Sequence, residues 1–158
     1  MPFLTGAQHL QNIHPLVIHF PIAFLYGAAL FYFLSFVFKK GDWEWTAFWM
    51  LILGAVSIGI AVGTGLYAEP GVMVSHSVRE HLLEAHEKLM IVTASLCGIL
   101  TLWALSAPPF PKKGRPFFLL FIAAMLVLMT LGADFGGRMV YDYNAGGFAC
   151  HQPIECIK

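Results

Sequence analysis

The stretch 14-HPLVIHFPIAFLYGAALFYFLSFVF-38 contains no Asp, Glu, Lys or Arg. Its continuous apolar part, Pro15 to Phe38, is 24 residues long. At a rise of about 1.5 Å per residue, roughly 20 apolar residues cross the hydrocarbon core of a bilayer. The stretch therefore reads as a membrane-spanning helix. Three further charge-free windows follow, Trp45–Ala68, Leu89–Pro111 and Pro116–Ala133, and only Asp134 cuts the last one short. Composition agrees: 58% of the 158 residues are hydrophobic and 11% charged, where a soluble domain carries about 25% charged residues. Mean hydropathy is +0.72. The expected fold is all-α, a polytopic membrane four-helix bundle. Its spans fall at about 15–38, 45–68, 86–108 and 116–140, in one domain over 1–147 with a tail at 148–158.

Too little sequence remains for a large soluble core. Net charge is zero and there is no basic arm, so nucleic acid is not an expected partner; membrane lipid is. The N-terminus lacks a basic region before its apolar run, and that run is too long for a signal peptide, so the first helix is expected to be retained. Lys39 and Lys40 follow the first span, and Lys112, Lys113 and Arg115 follow the third. The excess of basic residues in these loops predicts that they are cytoplasmic. Both termini are then on the outer, periplasmic side. Cys150 and Cys156 fall on that side too, where a disulfide between them would persist.

The histidines gather on the same side. Intramembrane ionisable residues are costly and usually functional. On the first helix, a phase of about 100° per residue taken from His19 groups it with Ala23, Tyr26 and Leu30, a face read as interior; His14 lies on another face. Ser77-Val78-Arg79-Glu80 has the form of a capping box opening the third helix. From His86 a small or polar stripe runs through Met90, Thr93, Cys97, Thr101 and Ala104, which suits a bundle interior rather than lipid. Gly59 and Gly63 on the second helix form a GxxxG pair, a close-packing signal. On the fourth, Asp134 and Arg138 are spaced to pair along the helix, to orient an imidazole, or to hold an acidic group of a cofactor.

In a sequential bundle the first and third helices are diagonal. Histidines at matched depth across that diagonal can supply both axial ligands of one haem iron. His19 and His86 are the candidates for this role, with Tyr26 lining the ring and Arg138 holding a propionate. His14 and His81 are candidates to hydrogen-bond around the site or to bind a second haem. The competing reading is a zinc or copper site near the surface, drawn from His14, His76, His81, His86 and Glu84. Such a site wants three or four ligands, and no HxxxH or CxxC spacing supports it.

"HPLVIHFPIA" (14–23) and "GGRMVY" (136–141), on four spans with a histidine early in the third helix, resemble a bacterial membrane family of unknown function. Its pattern is His-Pro-x-x-x-His-Phe-Pro in the first helix and Gly-Gly-x-Leu/Met-Val-Tyr after the fourth. The likeness extends to about Gly147. It implies a four-helix inner-membrane protein of b-type cytochrome character that works beside c-type cytochrome modules. His14, His19 and His86 match the family's histidine positions. After Tyr141 the family's further Gly-x-Gly stretch is replaced by Tyr143 and Asn144.

The function expected from both lines is one-electron transfer. A subunit binding one haem b, or two, would relay electrons between an extracytoplasmic carrier and the quinone pool, with partner redox subunits. No residues suggest substrate catalysis. The alternatives are a cofactor-free membrane anchor of a redox complex and an outer-face zinc or copper protein.

Overall fold

The computed structural model describes residues 13–72 and 74–145. Its long helices are α1 (His14–Phe38), α2 (Gly41–Gly71), α3 (His76–Ser106) and α4 (Arg115–Tyr141). All four are long and apolar enough to cross a membrane, and the described residues contain no strand. Helix α1 packs against α2 and α4, and so does α3. The helices therefore follow one another around the bundle, with α1 and α3 on one diagonal. The chain is an all-α, multi-pass membrane bundle.

Local chemistry sets the helix ends. Pro15 occupies the first turn of α1, where its missing amide costs nothing. Pro21 leaves the Val17 carbonyl without its helical donor, and α1 has a break in regularity at Ile18. Helix α2 opens with Asp42 and Glu44 in its first turn, where the helix dipole favours negative charge. Helix α3 does not begin with the expected capping box. It starts at His76 after an extended Ser75, and Arg79–Leu83 open into a π-turn. Gly114 precedes α4 at φ +82°, a left-handed conformation open to glycine.

The buried seam of α1 is Pro21, Leu25, Ala28, Tyr32 and Ser35. The 4-3-4-3 spacing of a helix seam leads, one heptad back from Pro21, to His14. The face expected to be interior, His19-Ala23-Tyr26-Leu30, is the outward one, with all four residues exposed. On α3 the expected stripe is interior: Thr93, Cys97 and Ala104 are buried. On α2 the close approach to α1 is made by Gly54, which packs on Leu25, while a side chain at Gly59 or Gly63 would meet open space. The GxxxG pair thus does not join helices within this bundle.

The two ends of the bundle are built differently. At one end the α1–α2 and α3–α4 connections meet. Tyr32 packs on Phe110 and Phe118, at ring-centroid distances of 4.8 and 5.2 Å. Its hydroxyl donates to the Pro109 carbonyl at 2.9 Å. Arg115 lies 4.5 Å over Phe110 and pairs with Glu44 at 3.1 Å. At the other end a smaller cluster of Val78, Leu82, Leu83, Met139 and Ala145 joins α3 to α4. Arg79 clasps the α2–α3 connection there, bonding Glu69 and the Val72 carbonyl.

Candidate functional site

The second end holds a pair of imidazoles. His14, at the start of α1, and His86, in α3, face each other across the diagonal. Their ring centroids are 6.4 Å apart and their planes are 81° to each other. The Thr64 hydroxyl donates to the Ala61 carbonyl at 3.0 Å, its ordinary bond back along α2. Its oxygen is therefore left to accept from His14 Nδ1 at 3.1 Å. His86 Nδ1 donates to the Gly132 carbonyl of α4 at 2.7 Å, since a carbonyl can only accept. His86 thus carries hydrogen on Nδ1, and His14 does the same where Thr64 keeps its bond to Ala61; in a neutral imidazole of that tautomer the lone pair is on Nε2. This is the tautomer in which a histidine binds a metal through Nε2 while a hydrogen bond at the other nitrogen fixes its orientation.

Glycines flank both rings. A β-carbon at Gly65 would come within 3.0 Å of His14 Cε1, and one at Gly136 within 3.1 Å of His86 Cε1. Helices α2 and α4, on the other diagonal, therefore supply both the acceptors and the space for rings carried by α1 and α3. The cluster that includes Leu83 and Met139 lies about one turn outside the rings on α3 and α4.

The other expected site residues lie elsewhere. His19 and His81 are exposed, so the structure brings His14, not His19, to His86. Tyr26 is 43% exposed and bonds Thr130 on α4, on the outward side of the bundle. Asp134 is exposed, and Arg138 pairs with Asp142 at 3.7 Å instead of Asp134. His76 pairs with Glu80 and Glu84 with Lys88. Among the described residues no three His, Cys, Asp or Glu side chains gather to hold a metal ion. Cys150 and Cys156 lie outside the described residues. The sequence pattern does not mark Thr64 or Gly132 as site residues; a hydroxyl and a glycine near the ends of apolar spans are the signal that could find them, while Gly65 belongs to the small-residue run of α2 that leaves room for a ring.

Residues 10–147 match the family described as a predicted membrane protein, DUF2231. The chain belongs to that family. The match takes in both histidines, Thr64 and the Gly136-Gly137 motif. No curated protein and no solved structure matches the chain. The family found is a membrane family, as expected, and its description extends to that alone.

The donor set tests what this site can hold. Two imidazoles bound to one metal through Nε2, with metal–nitrogen bonds of about 2 Å, place their ring centroids roughly 6 Å apart. The observed 6.4 Å fits that spacing. Two imidazoles from diagonal helices could supply the two ligands that a haem iron takes from a protein, whereas a tetrahedral zinc would want one or two ligands more.

Proposed function

We propose that this membrane protein binds one haem b through His14 and His86 and serves as an electron-transfer subunit. The observation that supports the reading is the ring pair across the α1–α3 diagonal, each ring held by a hydrogen bond from Nδ1. Bound haem supplies a one-electron iron couple, suited to relaying electrons between a redox subunit or c-type cytochrome and membrane quinone. Around it the chain's own residues bind and orient. Thr64 and the Gly132 carbonyl orient the two imidazoles, and Gly65 and Gly136 leave room beside them. Arg138, two residues beyond Gly136 and exposed, is the cation available for a propionate.

The described histidines all lie in the half of the bundle that holds this pair. The relay proposed here therefore runs along one side of an inner membrane and does not conduct across it. That side is the outer one if the lysine-bearing loops are cytoplasmic.

A reduced-minus-oxidised spectrum of the purified full chain, with a pyridine haemochrome assay, tests the reading. A Soret band that shifts on reduction is expected. It should vanish in His14→Ala and in His86→Ala and persist in His19→Ala. A colourless protein with stoichiometric zinc or copper would instead favour a metal site, and a colourless, metal-free protein that co-purifies with a larger complex an anchor. Either result overturns the haem reading.

A further inference from the structure

The opposite end of the bundle carries a second feature, independent of the histidines. The connection from α3 to α4, with the first residue of α4, holds three cations, and the structure uses them in two ways. Arg115 is engaged: it pairs with Glu44 and lies over Phe110. Lys112 and Lys113 are exposed, and among the described residues neither has a carboxylate partner. They line an open cavity of about 380 Å³ together with Trp103, Ala107, Pro108 and Pro111.

The walls of this cavity are amphipathic. Trp103, Ala107, Pro108 and Pro111 are apolar, and Lys112 and Lys113 complete the lining. Its floor is held in place. Trp103 packs on Phe118 at 5.4 Å, and its ring edge lies against Gly114, where a β-carbon would come within 3.1 Å. The cavity also sits where the chain leaves the hydrocarbon, between the end of α3 at Ser106 and the start of α4 at Arg115. Tryptophan belongs at that depth, and lysine there meets lipid phosphate. Ligand cavities run from about 300 to 1,000 Å³, so this one is of a size for a headgroup phosphate and its glycerol.

We propose that Lys112, Lys113 and Trp103 form a binding site for the headgroup of an anionic phospholipid. The lysines meet the phosphate, and the indole and prolines cover the glycerol and the upper acyl chain. A soluble phosphate compound would share the first contact and have no use for the second.

Native mass spectrometry of the detergent-solubilised full chain tests this, with phosphatidylglycerol, phosphatidylcholine or inorganic phosphate added. Phosphatidylglycerol should be retained on the order of tenfold more than phosphatidylcholine, and Lys112→Gln/Lys113→Gln should remove that preference. Trp103→Phe should weaken retention of both lipids. Lys39→Gln/Lys40→Gln alters the neighbouring basic loop and should leave the preference intact, and a thermal melt of each variant reports folding. The proposal is overturned if the two lipids bind alike, or if both lysine pairs matter equally. It is also overturned if inorganic phosphate displaces phosphatidylglycerol at equal concentration. None of these results depends on haem.

Discussion

The two ends of this bundle solve different problems with the same four helices. At the aromatic end, Tyr32, Trp103, Phe110 and Phe118 interlock, the tyrosine hydroxyl has its acceptor, and Arg115 has its carboxylate. At the histidine end two imidazoles lie on the inner seam of the diagonal helices, flanked by glycines where larger side chains would fit a plain core. Packing for its own sake favours the first arrangement. The second gives interior space to two imidazoles, each with a hydrogen-bond partner at Nδ1.

Substitutions at the two ends should therefore fail in different ways. The largest effect is expected from Gly136→Leu. Its β-carbon alone enters the contact distance of His86, and the rest of the side chain must displace the ring. Haem content, read from the Soret band, should fall to background while the helices still form by circular dichroism. If haem is retained, the glycine cradle has no role and the contrast between the ends loses its basis. Phe118→Ala should do the reverse. It empties a fully buried position at the aromatic end, and losses of about 3 kcal/mol or more accompany such cavities. The unfolding midpoint in detergent should drop sharply, with haem stoichiometry unchanged in the folded fraction.

Smaller effects sharpen the comparison. Thr64→Val keeps the shape of the side chain and removes the acceptor for His14 Nδ1. Loss of such an orienting partner weakens a metal site by about tenfold to a hundredfold, measurable as haem affinity. Glu44→Gln leaves Arg115 with a neutral partner. Both side chains keep some exposure, 14% for Glu44 and 30% for Arg115, so the cost should be about 1 kcal/mol, below that of a fully buried pair. The smallest response is expected from Gly59→Ala alone, where open space surrounds the position. Stability should change by less than about 1 kcal/mol, in the direction of greater helix propensity. A large loss would show that this face of α2 is occupied in the membrane.

The site was only half legible in sequence. On α3 the stripe below His86 was marked by Thr93, Cys97 and Thr101, residues that lipid would not favour, and it is interior. On α1 a phase counted from His19 selects the outward face. Nearly every position from Leu16 to Phe38 is apolar, so no hydrophobic gradient distinguishes lipid from bundle. Small and hydroxylated residues do not separate them either: Ala23 and Tyr26 accompany His19 on the exposed face, while Ala28, Tyr32 and Ser35 accompany His14 on the buried one. Thr64 and Gly132 were harder to find, because their role depends on a carbonyl or hydroxyl meeting a ring from a helix distant in the chain.

What the sequence alone determined is the number of spans and the sharing of one end by the histidines. Both follow from local physics, since a bilayer demands a fixed length of apolar helix whose backbone bonds itself. Which histidine faces His86 was decided only in three dimensions. His14 and His19 stand about 140° apart around one helix axis, and contact with α2 and α4 selects the face that turns inward.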